Sequence, residues 1–411
     1  MTMKRKNFYL GMMMLLTAGL SLTACSDNDG VATTPVALSV EMPLGIDNVE
    51  LTNGKAVFTN VQNGEQYTIS QFVNNNGTFT ASVDQVPEGT YNVAVTGDLS
   101  FTKDGVAGTA KVDQKSENVA IKQGNANVKL AVNTFDAKGG FVISEIFFAG
   151  TQTPEAKAYN KDQYVILSNN SDVTLYADSI AFAQSAFLTT NKREYTPDIM
   201  NEYMSVDALY MIPGTGKSVA VEPGKSLVLA INAMDHTEAN ANSFDLSHAN
   251  YEFYDESSVP SQQDTDNPDV PNLDKWYCYS NSFYMLNNGG NKGYAIARMH
   301  QNKESFLADN KYDATYIFTS ATVTKEMKTT CYKLPNSWIL DAVNLCPSNA
   351  WQWNVISSAL DAGYAYCAPT LSDKSRFGTA VVRKQENGKW VDTNNSSNDF
   401  EMAAVPTYLK K

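Results

Sequence analysis

The 411-residue chain carries 44 acidic against 31 basic residues, a formal net charge of −13, and an excess of that sign repels phosphate backbones. That argues against a nucleic-acid partner. Hydrophobic residues make up 43 % and charged residues only 18 %, with Tyr, Asn, Ser and Thr abundant, the composition of an exported β-rich protein. At roughly 100 to 200 residues per domain, the length predicts two domains.

Lys4, Arg5 and Lys6 precede an apolar run from Leu10 to Leu20, and Leu22-Thr23-Ala24-Cys25 follows with a small residue immediately before the cysteine. A positive segment, an apolar segment and a small-residue cleavage site identify residues 1–24 as a lipoprotein signal peptide. Cys25 is then the lipidated first residue of the mature chain, carrying palmitate among its acyl groups. The apolar run falls short of the roughly 20 residues that cross hydrocarbon, which argues against a transmembrane helix. Ser26 replaces the Asp that commonly retains lipoproteins in the inner membrane. Ser26-Asp27-Asn28-Asp29 resembles the acidic surface-export tag of gut Bacteroidota lipoproteins, so the expected address is the outer membrane, facing outward. Residues 25–35 are polar and aperiodic and read as a flexible tether.

From 36 to 135 short runs alternate in polarity: Ala37-Leu38-Ser39-Val40, Val49-Glu50-Leu51, Ala56-Val57-Phe58, Tyr67-Thr68-Ile69, Thr78 to Val83, Tyr91 to Val95, Val119 to Ile121 and Val128 to Leu130. Gly, Asn and Pro separate them. Period-2 runs with turn residues between predict an antiparallel sandwich. Pro87-Glu88-Gly89-Thr90-Tyr91 reads as a turn into a strand whose tyrosine packs inward. Together with Val57 to Val61, it resembles the carboxypeptidase-regulatory, transthyretin-like sandwiches of surface proteins. That resemblance implies a spacer or docking module.

Asp136 to Gly140 reads as a hinge, and residues 140–411 as the second domain. Its expected strands are Gly140 to Phe148, which is apolar but for Glu145, then Asp162 to Ser171, Tyr210 to Gly214, Pro223 to Ala230, Phe283 to Gly290, Ser337 to Val343, Val381 to Arg383, and Trp390 to Phe400. The ordered signatures Ile143-Ser144-Glu145, Leu340-Asp341-Ala342-Val343, and Arg383 with the closing Asp392 to Phe400 resemble a lamin-tail domain. The resemblance implies an immunoglobulin-like β-sandwich used for binding. The expected fold class is therefore all-β, with two β-sandwich domains. The stretch is more than twice a plain lamin tail. The surplus falls in three insertions, Asn232 to Ser280, Met299 to Asn336 and Asn344 to Lys374, and long loops on a rigid sandwich are where function usually resides. Leader, small sandwich and enlarged lamin-tail domain together resemble a two-domain surface lipoprotein family of gut Bacteroidota, a domain of unknown function, with Tyr195 to Glu202 and the stretch from Asp235-His236 to Asp255 carrying the likeness.

Four kinds of candidate chemistry occupy the insertions. Asp264, Asp266, Asp269 and Asp274 offer hard oxygen ligands suited to Ca²⁺, although the glycine and terminal glutamate of an EF-hand are missing. Asp235, His236 and His248, near Asp245, Glu252 and Asp255, are an alternative N/O set for a transition metal. Trp276, Tyr277, Trp351 and Trp353 are aromatics that would anchor a partner or stack on a ligand if exposed, and form core if buried. Cys278, Cys331, Cys346 and Cys367 could form disulfides in any of three connectivities, or remain buried thiols. Gly214-Thr215-Gly216-Lys217-Ser218 looks like the end of a phosphate-binding loop, but Met211 stands where its first glycine belongs. No catalytic motif is present. The expected function is that of a non-enzymatic binding or accessory subunit, capturing a ligand or docking to a TonB-dependent transporter or another outer-membrane protein. The alternative is a metal-dependent hydrolase using the Asp235/His236/His248 region.

Overall fold

The computed structural model describes residues 32–42, 46–103, 106–123, 126–131, 140–257, 259–260, 263–280, 282–320 and 322–410. Cys25, most of the tether and the proposed hinge lie outside the described residues. The fold is all-β, as the alternating runs predict.

Residues 33–131 build two four-stranded sheets. One has the order Val73–Asn75, Thr78–Pro87, Thr33–Glu41, Asn127–Ala131, and the other Gln66–Ile69, Asp47–Asn60, Gly89–Lys103, Val106–Ile121. Strict alternation along Thr33–Glu41 turns Val36, Leu38 and Val40 into a core shared with Phe58, Phe79, Val93 and Val95. Tyr91 does pack inward: its ring is fully buried and its hydroxyl donates to the Pro87 carbonyl at 2.9 Å, satisfying the one polar atom it takes into the core. Two details differ from the sequence reading. Thr33–Glu41 and Asn127–Ala131 run parallel. Val49 to Leu51 and Ala56 to Phe58 belong to one strand, because Asn53 (φ 53°) turns Asn53-Gly54 into an irregularity of the ladder and not a reversal.

Residues 141–404 build a second sandwich. Its six-stranded sheet runs Tyr251–Glu252, Ser226–Ala230, Tyr164–Asn169, Phe141–Phe147, Ala380–Arg383, Phe400–Ala404. The facing seven-stranded sheet runs Lys311–Thr319, Thr324–Pro335, Tyr203–Met211, Ile180–Ser185, Gly293–Arg298, Ile339–Asn344, with Asp274–Cys278 also paired to Tyr203–Met211. Ile143, Val165, Leu167, Leu229 and Val381 from one sheet meet Phe182, Tyr210, Tyr294, Ile296 and Val343 from the other.

The central strands of both sheets are buried on both faces. Every residue of Phe141–Phe147, Tyr164–Asn169 and Ile180–Ser185 is buried. The outer face of the six-stranded sheet, with Phe147, Tyr164, Ile166 and Ala230, is covered by Ala233, Phe244, Leu246, Ala249 and Val270 of the first insertion. The outer face of the seven-stranded sheet presents Ala181, Ala183, Ala295 and Ala297, which share a core with Phe306, Leu334, Val355 and Ile356 of the second and third insertions. The insertions are thus walls of the fold, each Val, Leu, Ile or Phe that covers a sheet contributing about 1.5–3 kcal/mol by its burial.

Three expected strands differ. Of Tyr210 to Gly214 only Tyr210 and Met211 are strand, the end of Tyr203–Met211. Trp390 to Phe400 is not one strand but runs from the end of Lys389–Trp390 through the short helix Ser396–Asp399 to the start of Phe400–Ala404. Phe283 to Gly290 forms no strand: Tyr284 and Leu286 enter the central core from a loop, and the Leu286 peptide exchanges two 3.1 Å hydrogen bonds with the buried Gln163 side chain in place of a ladder. Ile180–Ser185 and Gly293–Arg298, missing from the sequence reading, are alanine-rich. Their large residues face the central core and their alanines the outer one, leaving depth there for Phe306 and Trp276. Phe306→Ala should therefore lower the unfolding free energy by about 3–5 kcal/mol in chemical denaturation, and Ala295→Leu, which overfills the same layer, by about 1–3 kcal/mol.

Candidate functional site

The four aspartates of the acidic loop do not converge. Asp264 accepts from Asn232 Nδ2 at 2.7 Å and from the Asp255 amide at 3.2 Å, and Asp266 accepts from Asn272 Nδ2 at 2.9 Å. Asp269 is exposed, and Asp274 opens the strand Asp274–Cys278. The loop is ordered from within: the Asn267 amide donates to Glu252 Oε2 at 3.0 Å, Asn267 Nδ2 donates to the Ala233 carbonyl at 2.6 Å, and Val270 and Leu273 are buried anchors. No group of three or more His, Cys, Asp or Glu side chains poised for a metal occurs among the described residues. Hydrogen bonds thus supply the order that a cation was expected to supply.

The alternative set fares no better. His236 is buried, with Nε2 3.0 Å from the Asn232 carbonyl and Nδ1 2.9 Å from the Tyr159 hydroxyl. A carbonyl only accepts, so Nε2 carries the proton and Nδ1 receives the tyrosine hydrogen. Neither nitrogen keeps a lone pair for a metal. Asp235 accepts from the Thr237 amide and hydroxyl at 2.9 and 2.7 Å, and His248 is exposed on the surface.

Each of the four cysteines is a free thiol, which corrects the disulfide alternative. They are spread over different layers: Cys331 lies in the core outside the seven-stranded sheet, Cys367 in the central core, with Cys278 packed against it. Burial pushes the Cys331 and Cys367 thiols up to about 12, so they are poor nucleophiles at neutral pH.

Of the four aromatics singled out, three are structural. Trp276 is buried against Phe306 at 5.8 Å, Tyr277 packs on Tyr332 at 4.5 Å, and Trp353 stacks with Tyr195 while its Nε1 donates to the Leu188 carbonyl at 2.8 Å. Trp351 is different, 48 % exposed and stacked on Tyr364 with centroids 5.9 Å apart and planes 13° from parallel.

The polar centres of the second sandwich escaped the sequence reading, although the signatures that carry them were noticed. Arg383 is buried and donates to Asp341 Oδ2 at 2.5 Å, to the Ile143 carbonyl at 2.9 Å and to the Val391 carbonyl at 2.9 Å, with Asp392 and Asp399 at 3.4 and 3.5 Å. Burial raises the Asp341 carboxyl, opposed by the adjacent guanidinium. A second carboxylate, Asp361, is fully buried and accepts five hydrogen bonds, from the Asn344 amide (2.6 Å) and side chain (3.0 Å), the Gly363 amide (3.0 Å), and the Ser396 amide (2.8 Å) and hydroxyl (2.7 Å). All five partners are donors, so the group works as a carboxylate. A third, Asp178, gathers the Gly216, Ser218 and Val219 amides and the Ser218 hydroxyl. Burial alone would raise it, but these donors outweigh burial and hold it below the usual carboxylate range. The amides of the stretch that looks like a phosphate loop are thus already engaged by a side chain of the chain itself. Glu145 likewise accepts from the Tyr164 hydroxyl and from Thr407.

Two measurements check this assignment. Burial lowers the His236 imidazole below its ordinary 6.5, so the neutral ring's contribution to stability is complete above pH 6.5 and is lost as the pH falls through the folded-state value. Its NMR titration midpoint should lie below 6.5, and a midpoint at or above 6.5 would contradict the closed Asn232–His236–Tyr159 arrangement. Asp361→Asn turns an amide NH₂ toward inward-pointing donors and should cost about 3 kcal/mol or more in urea unfolding.

Residues 222–407 match the family described as a protein of unknown function, DUF4876. The crystal structure of a DUF4876 family protein from Bacteroides thetaiotaomicron aligns over 90 % of this chain and 96 % of its own, with 21 % identity and a TM-score of 0.54. A protein from Parabacteroides distasonis assigned provisionally to cell adhesion aligns over 74 % of this chain and 84 % of its own, at 10 % identity and a TM-score of 0.15, too low to carry an argument. No curated protein matches the chain. Over residues 222–407 the chain is similar to the DUF4876 family, and it shares the all-β fold of a solved DUF4876 protein.

Proposed function

We propose that this chain is a lipoprotein of the outer membrane, anchored through Cys25 and displayed on the cell surface, that acts as a non-enzymatic binding or accessory subunit of an outer-membrane protein such as a TonB-dependent transporter. On this reading residues 36–135 are the spacer sandwich of carboxypeptidase-regulatory type, and 140–411 the enlarged lamin-tail-type domain that binds. The observation that carries it is the hairpin of Lys311–Thr319 and Thr324–Pro335 in the second insertion. Near the sheet its Tyr312, Ala314, Cys331 and Leu334 are core. Toward the tip the same hairpin leaves Ile317, Phe318, Val323 and Met327 exposed by 64, 40, 50 and 37 %. Four of the large apolar residues exposed among the described residues thus gather on one projection, which is how a docking surface differs from scattered surface apolar residues. Charged and catalytically capable groups show the opposite trend: Glu145, Asp178, His236, Asp341 and Asp361 are all occupied by structural partners. The metal-dependent hydrolase has no observation behind it.

Proteinase added to intact cells should degrade the wild-type protein and spare the Asp27→Ala/Asp29→Ala variant, and protection of the wild type would overturn surface display. Ile317→Ser with Phe318→Ser should leave the fold intact and sharply reduce copurification of the outer-membrane partner after mild detergent extraction. Undiminished copurification would remove the hairpin from the docking surface.

A further inference from the structure

The third insertion ends in a feature that the fold does not need. Trp351 stacks one face on Tyr364 and leaves 48 % of its surface open. An exposed indole is ordinarily free to change rotamer, but this one is held: Nε1 donates to Asn354 Oδ1 at 2.9 Å, and Asn354 Nδ2 in turn donates to the Asp361 and Gly363 carbonyls at 3.2 and 3.0 Å. The backbone of Tyr364 is held as well. Its amide donates to Ser397 Oγ at 3.0 Å, and Ser397 Oγ donates back to its carbonyl at 2.9 Å. Beneath both, buried Asp361 ties the loop to Asn344 of the sheet and to Ser396 of the closing segment. The crossing is so close that a Cβ on Gly363 would lie 2.1 Å from Asn395 Oδ1 and 2.6 Å from the Ser397 amide, which only glycine permits. The flanking residues next to Trp351 in sequence are held too: the Gln352 and Trp353 amides donate to the Thr189 carbonyl at 3.0 and 3.3 Å.

We infer that the Trp351–Tyr364 pair is a carbohydrate-binding platform that takes the apolar face of a neutral pyranose on the open side of the indole. This rests on the non-enzymatic binding role proposed above but not on the hairpin. Two observations select a sugar. The exposed residues nearest Trp351 in sequence, Asn349 and Gln352, carry neutral amides, the groups that pair with sugar hydroxyls, and Gln352 keeps its Nε2 for this while its Oε1 accepts from the Lys192 amide at 2.8 Å. The ring is also fixed before any ligand arrives, which removes the ordering cost that would otherwise consume a small contact's affinity. The electron-rich ring face attracts the polarised C–H bonds on one side of a pyranose as it attracts other positive charge. A single platform of this kind corresponds to a dissociation constant on the order of millimolar, so the site is a weak one that gains by repetition along a polymer.

The test uses the full mature chain and four neutral probes, maltohexaose, cellohexaose, mannohexaose and N-acetylchitohexaose, with intrinsic fluorescence and ligand-observed NMR as readouts. At least one probe should bind with a dissociation constant on the order of millimolar. Trp351→Ala should weaken it by about tenfold or more at an unchanged melting temperature, because the side chain is outside every core. Trp351→Phe, which keeps a ring but loses the bond to Asn354, should retain weaker binding. Ile317→Ser/Phe318→Ser should bind sugar like the wild type, so that loss of hairpin docking and loss of sugar binding are separate results. Failure of all four probes to bind, or undiminished binding in Trp351→Ala, would overturn the platform. Binding of an apolar dye that Trp351→Ala abolishes, with no sugar bound, would also overturn it and assign the face to an apolar ligand.

Discussion

The constraint on which the second sandwich depends is that the central strands of both its sheets are apolar on both faces. A sheet with one such face can leave the other in water, but Phe147, Tyr164 and Ile166 on one outer face and Ala183, Val206 and Leu209 on the other require cover of their own. The chain supplies it from the three long insertions. Four layers result where a plain sandwich has two, and most residues of the insertions are thereby committed to packing. What remains available for recognition is the part that overshoots the sheets, namely the outer half of the hairpin and the rim at Trp351.

Strand ends need a different kind of cement, and buried carboxylates provide it. Asp341 receives the Ile143 amide at 2.6 Å as well as Arg383, so one side chain joins the central strand of the six-stranded sheet, the edge of the seven-stranded sheet and the closing segment. An isolated charge at such depth would be prohibitive. It is tolerated because the opposing guanidinium and backbone dipoles replace the water it gave up. Asp361 does the same with neutral donors alone, fixing Asn344, Gly363 and Ser396 around itself. The consequence for function is that acids which might pass for catalytic groups in a sequence are consumed as acceptors inside the fold.

The same occupancy explains why sites expected from residue type dissolve on folding. Histidine beside aspartate suggests metal binding until the imidazole is seen between a carbonyl and a tyrosine hydroxyl. Glycine and serine around Lys217 suggest phosphate until their amides are seen around Asp178. In each case the chemistry anticipated was sound for free side chains, and the partner that used it up came from a distant part of the chain: Tyr159 is 77 residues from His236, and Asp178 is 40 from Ser218.

Period-2 alternation was enough to determine the all-β class, most strands of residues 33–131 and the inward tyrosine, because those properties depend on neighbours along one strand. The presence of aromatic residues in the third insertion was also legible. Other features belong to contacts between segments far apart. Ile180–Ser185 and Gly293–Arg298 hide because alanine has little preference for strands, and they are strands only where the sheet on either side and the wall outside them exist. Whether Trp276, Trp351 or Trp353 faces solvent could not be read from three tryptophans in similar polar company. Tertiary structure decided it, since exposure is what remains of a side chain's surface after every other segment has packed, and no local pattern records which segments those will be.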